Sequence, residues 1–305
     1  MNFPPTVDDR TLARARMMAF VAAVLWSTSG FFAKTAYLAD WAPERLCFWR
    51  AVFATLILLP LVRAPKFSWL LLPLGISFSL MTTTFLTAMK WGTAANAIWL
   101  QCTGPVWMLL VGVLFLGERL RRADVLQMCF AGAGIAVILW FEAQGESLAA
   151  VAIALSSGVC YAVVVLILRQ LRDFDGTWLI AVCHLTNAIV LAPFALWNQP
   201  LPEGMQWPLL IAFGMLQLGL SYVLFARSLR SIPGHEAALI ALVEPILVPV
   251  WGYLTDGNAP AWWTIVGAAL ILVGLATTVL RSKPIPPTKV PMAAEVPLAS
   301  SDKPL

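Results

Sequence analysis

Runs of about 20 apolar residues, the length that a helix needs to cross a bilayer core, dominate this chain of 305 residues and limit the folds open to it. The chain is 60% hydrophobic and 12% charged, whereas a soluble domain typically carries about 25% charged residues. Strands of a membrane β-barrel would instead alternate apolar and polar residues over segments of about ten. The chain is therefore expected to be an all-α polytopic membrane protein.

Ten spans can be drawn through these runs. We place them at residues 17–38, 46–62, 68–88, 94–116, 123–141, 148–168, 177–197, 207–229, 236–255 and 261–280. Residues 1–16 are predicted to be a cytoplasmic N-terminal segment without a cleavable signal peptide. Residues 281–305 are rich in proline and small residues, so we expect a disordered cytoplasmic tail.

One apolar run interrupted by proline occurs twice, at residues 96–120 and again at 236–258. The pairs that match at a spacing of 140 are Pro105 with Pro245, Gly112 with Gly252, Gly117 with Gly257 and Gly134 with Gly274. A broken helix in corresponding positions of two halves is typical of transporters built from repeats. Five spans per half is an odd number, so the halves would enter the membrane from opposite sides. We predict ten transmembrane helices in two inverted five-helix repeats, residues 17–141 and 148–280.

Basic residues alternate between the connections and predict the orientation. With a cytoplasmic N-terminus, the inner segments hold Arg10, Arg14, Arg16, Arg63, Lys66, Arg119, Arg121, Arg122, Arg169, Arg172, Arg230, Arg281 and Lys283. The outer connections hold only Arg45 and Lys90, with Lys34 near one end. Both termini are therefore expected on the cytoplasmic side.

Signals for other classes of protein are weak. The basic residues lie at helix ends rather than in one patch, so no nucleic-acid partner is expected. All five cysteines fall inside apolar runs without C-x-x-C spacing, which favours packing over disulfides or metal binding. His235-Glu236 begins like a zinc-protease motif, but Leu239 stands where the second histidine is needed. We expect no metal, no cofactor and no enzymatic activity.

Several motifs together resemble the EamA-type branch of the drug/metabolite transporter superfamily. They are Leu25-Trp26-Ser27-Thr28-Ser29-Gly30-Phe31, Phe48-Trp49-Arg50-Ala51, Pro105-Val106-Trp107, Phe115-Leu116-Gly117-Glu118-Arg119-Leu120 and Glu244-Pro245. The resemblance covers residues 17–280, although Asp256-Gly257-Asn258 departs from the Gly-Glu that often follows the ninth helix in this family. It implies a central cavity lined by the first, third, fourth, sixth, eighth and ninth helices, in a bacterial-type cytoplasmic (inner) membrane.

The resemblance also implies transport of small metabolites. No nucleotide-binding motif is present, so a solute or ion gradient would drive transport. We predict a secondary transporter, an exporter of small organic metabolites such as amino acids or related compounds, that works by alternating access. Its partners would be the solute, the lipid bilayer and protons as a coupling ion. The alternatives are a non-transporting membrane scaffold or receptor and an intramembrane enzyme.

Polar and aromatic residues inside the spans are candidates for solute binding. Glu244 precedes Pro245 deep in the ninth span, where it could bind an amine, relay a proton or clamp the backbone at the break. Gly214, Gln217, Ser221 and Ser228 form a stripe at helical spacing, with Tyr222 beside it, that could line the cavity or pack against a helix. The predicted solute-binding residues are Trp26, Asn96, Trp99, Tyr161, Gln217, Ser221, Tyr222 and Glu244.

Charged residues near the ends of spans are candidates for gating. Lys90 and Arg230 occupy equivalent ends of the third and eighth spans, where they could guide ions or extend to lipid headgroups. Glu236 matches Asn96 across the repeats and is assigned with them to gating or ion guidance. Arg50 is expected to form a structural ion pair and His184 to pack. Pro105 and Pro245 would give the two broken helices their bends.

Overall fold

The computed structural model describes residues 9–115, 122–142, 148–232, 234–257 and 259–281, and every regular element assigned in these ranges is helical. The α-helices are α1 (Asp9–Ser27), α2 (Ser29–Lys34), α3 (Pro43–Leu58), α4 (Leu71–Trp91), α5 (Ala94–Gln101), α6 (Gly104–Phe115), α7 (Arg122–Glu142), α8 (Leu148–Gln170), α9 (Gly176–Leu196), α10 (Gln206–Ala212), α11 (Ser221–Ser228), α12 (Gly234–Ala241), α13 (Val243–Asp256) and α14 (Trp262–Arg281). Short 3-10 turns cover Ala36–Leu38 and Leu59–Leu61, and a π-helical segment, Phe213–Leu220, joins α10 to α11.

Several helical stretches in these ranges are long and apolar enough to cross a membrane. By length and composition they are Asp9–Lys34, Leu71–Trp91, Ala94–Val111, Leu148–Gln170, Gly176–Leu196 and Gln206–Ser228. Met128–Phe141 and Trp262–Gly274 are shorter apolar helices. Each predicted span coincides with a helix or an interrupted pair of helices, so the all-helical membrane class is confirmed, whereas the number ten stays a prediction.

Some predicted features lie outside the described residues. They are most of the N-terminal segment, at residues 1–8, the charged end of the fourth span at Gly117-Glu118-Arg119, and the tail from residue 282.

Helix contacts divide the core of the bundle into two groups, and each group takes helices from both halves of the chain. Helix α1 packs against α11, α12 and α13, and we call these four helices the α1 group. Helix α8 packs against α4, α5 and α6, and these form the α8 group. Helices α3 and α9 pack against each other. Helix α9 touches both groups, through α4 and α11, whereas α3 touches α4 and the π-helical segment. Helix α7 pairs with α14.

Most helix contacts have a counterpart when each helix is replaced by its equivalent in the other half of the chain. With the spacing of 140 residues, α4 on α8 corresponds to α11 on α1, and α4 on α9 corresponds to the π-helical segment on α3. Likewise α5 and α6 on α8 correspond to α12 and α13 on α1. The pairs α3–α9 and α7–α14 map onto themselves. The packing therefore has the pattern that a two-fold pseudo-symmetric bundle requires.

One contact breaks this pattern. Helix α13 packs against α5 and α2. The equivalents of α13 and α5 in the other half of the chain are α6 and α12, and these two make no comparable contact among the described residues. A Cβ atom on Gly30 of α2 would lie 2.9 Å from the carbonyl oxygen of Val248, and one on Gly252 would lie 3.2 Å from Ala94 Cβ. Small residues thus let three helices from the two groups meet closely at one end of the bundle.

The α7–α14 pair depends on two glycines that face each other. A Cβ on Gly134 would lie 2.6 Å from the carbonyl oxygen of Gly267, and a Cβ on Gly267 would lie 2.8 Å from the carbonyl oxygen of Gly134. The helix backbones therefore approach so closely that neither position has room for a methyl group.

We expect Gly134→Ala to lower the free energy of unfolding by about 1–3 kcal/mol, because the added methyl group must push two helix backbones apart. The matched control is Gly132→Ala on the same helix, since no atom lies within 4 Å of its added Cβ. Thermal unfolding of the purified protein in detergent measures the difference. Equal melting temperatures for the two variants would contradict this account of the α7–α14 contact.

Candidate functional site

Two helix breaks face the middle of the bundle. The first separates α5 from α6 at Cys102 and Thr103, directly before Gly104-Pro105. The second separates α12 from α13 at Leu242, and Glu244 and Pro245 lie in the first turn of α13. Proline has no N–H to donate and is tolerated in a first helical turn, so both prolines favour a restart of the helix at these points.

Glu244 is the charged side chain at the second break, and it is partly exposed. Its carboxylate interacts electrostatically with Cys102 at the first break and with the hydroxyls of Tyr161 and Tyr222. Tyr161 belongs to α8, and a Cβ on Gly104 would lie 2.5 Å from its ring. Glu244 of the α1 group therefore faces residues of the α8 group across the boundary between the two groups.

Several side chains around this carboxylate are partly exposed. Tyr161 lies in the middle of α8 and against Gly104, yet 38% of its surface is exposed. Trp26 and Tyr222 are also only partly buried. Partial exposure of side chains that lie between helices indicates room for water or a small solute at this boundary.

Trp26 forms the aromatic wall of the α1 group. Its ring lies 5.2 Å from the ring of Tyr222 and 5.0 Å from that of Phe225, measured between centroids. Its backbone oxygen accepts a 3.0 Å hydrogen bond from Nε2 of Gln217, in the π-helical segment. The indole N–H of Trp26 and Oε1 of Gln217 are buried without a hydrogen-bond partner among the described residues. A solute would reach either atom only after a rearrangement of these side chains.

Ser221 lies in the same stripe but bonds within its own helix. It is fully buried, and its hydroxyl donates to the carbonyl oxygens of Gln217 at 2.6 Å and Leu218 at 2.8 Å. Of the polar residues predicted on the eighth span, Ser221 thus occupies a packing position. Gln217 and Tyr222 reach the cluster around Trp26.

A buried cation lies behind Tyr222. Arg50 is 2% exposed, and its guanidinium carbon lies 5.2 Å from the ring centre of Phe213. It interacts electrostatically with His184 and Tyr222. No carboxylate of the described residues lies within ion-pair distance of it, so the expected structural ion pair of Arg50 is absent from this part of the chain.

Two predicted solute-binding residues lie away from this cluster. Asn96 is 7% exposed, and its side-chain oxygen accepts a 3.0 Å hydrogen bond from Thr264 of α14. Trp99 is 5% exposed and belongs to the main apolar core. In this conformation Asn96 connects α5 to α14 and Trp99 packs in the apolar core, so neither residue borders the partly exposed region beside Glu244.

The residues predicted to gate have separate partners. Lys90 donates to the carbonyl oxygens of Leu38 at 2.7 Å and Ala39 at 2.5 Å, which ties the end of α4 to the turn after α2. Glu236 of α12 accepts a 2.5 Å bond from Nε of Arg16 on α1, at a partly exposed site. Arg230 is exposed after α11 and lines a pocket at one end of the bundle.

Sequence reasoning did not assign Cys102, Arg50 or His184 to this neighbourhood. The signal for Cys102 was its position two residues before Gly104-Pro105, where a proline break exposes side chains of both flanking turns. The signal for Arg50 was a charge deep inside an apolar run, which is costly unless it has a partner or a use. Among the described residues, no group of three or more His, Cys, Asp and Glu could hold a metal ion.

Comparisons with known proteins agree with this architecture. A family model described as the EamA-like transporter family matches residues 14–140 and, a second time, residues 148–280. A pseudopaline exporter from Pseudomonas aeruginosa, CntI, is 29% identical over 271 residues, which cover 84% of this chain and 93% of that protein. A threonine/homoserine exporter from Salmonella typhimurium, RhtA, is 27% identical over 225 residues, which cover 69% and 71%.

A solved crystal structure has a similar fold. It superposes with a TM-score of 0.60 at 20% identity, over 88% of this chain and 97% of the other. At this identity the likeness concerns the fold alone.

His184 offers a test of the cluster's packing. It is fully buried, both ring nitrogens have no hydrogen-bond partner among the described residues, and its ring lies 4.9 Å from that of Phe78. Because an unpaired buried polar group costs about 1–3 kcal/mol, we expect His184→Phe to keep or raise the melting temperature. His184→Ala should lower it by leaving a cavity. A large loss of stability in the Phe variant would instead mean that the imidazole makes a polar contact.

Proposed function

Because the chain belongs to the EamA-like transporter family, we propose that it is a secondary transporter that exports small organic metabolites, such as amino acids or related compounds, by alternating access. The observation that carries this proposal is the position of Glu244. It is a partly exposed carboxylate at a helix break, and it faces Tyr161 and Cys102 across the boundary between two helix groups.

The chemistry of the cluster favours an amino-acid-like solute. The carboxylate of Glu244 suits a substrate amine. The guanidinium of Arg50 is buried on the far side of Tyr222 and is not open to a solute in this conformation. Trp26 provides an aromatic surface beside Tyr222. Two relatives are named as exporters, one of pseudopaline and one of threonine and homoserine, which is consistent with a solute of this kind.

The two helix groups supply a mechanism for alternating access. The groups meet closely where α2, α5 and α13 converge. The equivalent contact at the other end, between α6 and α12, is not made among the described residues. With the orientation predicted by the basic residues, the closed end is the outer one, so the site faces the cytoplasm. Rocking of one group against the other would break the α5–α13 contact and form the α6–α12 contact.

The predicted topology is part of the same proposal. We infer ten crossings in two inverted five-helix repeats, residues 17–141 and 148–280, with both termini on the cytoplasmic side of an inner membrane. The exchange of helix contacts at a spacing of 140 residues supports the repeats. The two matched stretches of the family model, 14–140 and 148–280, have similar boundaries.

Glu244 is also the candidate for proton coupling. Its carboxyl group could exchange a proton for a substrate amine, because both would compete for the same oxygens. Within its reach lie the titratable groups of Cys102, Tyr161 and Tyr222. Since the sequence contains no nucleotide-binding motif, an ion or solute gradient remains the proposed source of energy.

We expect Glu244→Gln to reduce flux of amine-bearing amino acids by about tenfold or more, since hydrogen bonds to charged groups contribute about 1.5–3 kcal/mol. The pH dependence of flux should weaken in the same variant. Reconstituted proteoliposomes and a panel of labelled amino acids provide the measurement. Glu203→Gln is the matched control, because Glu203 is exposed in the connection before α10. Unchanged flux in the Glu244 variant would remove its assigned role, and no flux of any compound through folded wild-type protein would favour a scaffold.

Alternating access predicts that a cross-link at the closed end stops transport. Ala94 Cβ lies 3.2 Å from the Cβ that would stand on Gly252, close to the roughly 3.5–4.5 Å separation found in disulfides. The double variant Ala94→Cys, Gly252→Cys should lose flux on oxidation and regain it on reduction. Each single variant, which retains the five native cysteines, should be insensitive to the same treatment. Full flux through the cross-linked protein would exclude opening at this end.

A further inference from the structure

A polar pocket lies at one end of the bundle, and its lining residues are not those of the Glu244 cluster, by which we mean Trp26, Cys102, Tyr161, Gln217, Tyr222 and Glu244. Its volume is about 310 Å³, and three chain segments form it: the stretch Pro60–Arg63 after α3, the start of α9 and the end of α11. Three of its lining residues are arginines, namely Arg63, Arg227 and Arg230. The single acidic residue among those that line it is Asp175.

Asp175 offsets one of these three positive charges, but its carboxylate bonds to backbone groups rather than to an arginine side chain. Oδ1 accepts a 2.9 Å hydrogen bond from the N–H of Thr177 and so caps α9, while Oδ2 accepts from the N–H of Arg63 at 3.0 Å. Burial opposes the charge on this carboxyl, but the backbone hydrogen bonds outweigh that effect and lower its pKa. Asp175 therefore stays ionised at neutral pH and joins the segment after α3 to α9.

The arginines consequently leave the pocket with a net positive charge. None of the three guanidinium groups lies within 4 Å of a carboxylate oxygen belonging to the described residues. Three guanidinium groups around one cavity repel each other unless an anion lies between them. The N-terminus of α9, a helix of 21 residues, adds its positive dipole end to the same wall.

The surroundings of the pocket are those of a membrane interface. Helices α9 and α11 belong to membrane-spanning stretches, and the pocket lies where one begins and the other ends. Its apolar flank includes Val223 and Leu61, and Leu61 is 40% exposed. A ligand with an anionic head and an apolar tail would place the head among the arginines and the tail along this flank.

We propose that this pocket is a binding site for a phosphate ester of net negative charge. Guanidinium groups bind phosphate oxygens in a bidentate manner, and basic pockets between transmembrane helices suit anionic headgroups. The phosphate could come from an anionic phospholipid or from a soluble compound, and both would make the same contacts with Arg63, Arg227 and Arg230. None of these residues belongs to the Glu244 cluster, so binding at this pocket can be measured separately from transport.

Titration of the full-length protein in neutral detergent tests the site. The probes are short-chain phosphatidylglycerol, short-chain phosphatidylcholine, glycerol phosphate and inorganic phosphate, with binding followed by calorimetry. We expect phosphatidylglycerol to bind more tightly than phosphatidylcholine. The double variant Arg227→Gln, Arg230→Gln should bind it about 25-fold more weakly, at about fivefold for each arginine near a membrane surface. Tighter binding of phosphatidylglycerol than of glycerol phosphate identifies a lipid source, and equal binding identifies a soluble one.

The matched control is Arg169→Gln, Arg172→Gln, which removes two positive charges outside the residues that line the pocket. This variant should bind phosphatidylglycerol within about twofold of wild type. The charge-retaining variant Arg227→Lys, Arg230→Lys controls for folding and should keep most of the affinity. Equal effects of the two double glutamine variants, equal binding of the two lipids, or no binding of any probe to wild type would each overturn the proposal.

Discussion

Backbone hydrogen bonding inside a hydrocarbon layer is the constraint on which the rest of this structure depends. A helix can be interrupted there only where other groups satisfy the freed carbonyls and N–H groups. At the first break, the hydroxyl of Thr103 donates to the carbonyl oxygen of Leu100 at 2.6 Å and accepts from the indole N–H of Trp107 at 3.0 Å. At the end of α1, the hydroxyls of Ser27 and Thr28 donate to carbonyls of the preceding turn. Local side chains thus stabilise each interruption.

These interruptions also concentrate polar chemistry at the centre of the bundle. Side chains beside a break leave the regular helical face, which is how Cys102 and Glu244, from different halves of the chain, come to interact. The same neighbourhood contains Trp26, Tyr161 and Tyr222, while the uninterrupted pair α7–α14 contributes none of the cluster. In this bundle the broken helices supply Cys102 and Glu244, and the uninterrupted helix α8 supplies Tyr161.

Several predictions about charged and polar residues were decided by partners that lie far away in the sequence. Lys90 could be a gate or extend to headgroups by its position at a helix end, but it bonds to Leu38 and Ala39. Asn96 could touch solute by its match with Glu236, but it accepts a bond from Thr264. Arg50 was expected to pair with a carboxylate, yet among the described residues none is near. A helical position gives the direction of a side chain along one element, and its partner depends on how distant elements pack.

The amino-acid sequence by itself determined the helical membrane class, the positions of the two proline breaks and the spacing that relates the halves. These features follow from apolar length and proline chemistry, which act within one segment. Only the tertiary structure decided that the helices regroup across the halves, with α1 against α11–α13 and α8 against α4–α6. It also decided which end is closed, because the close approach of Gly30, Ala94 and Gly252 joins three segments. Contacts of this kind depend on the relative positions of whole helices, and no local pattern of residues encodes them.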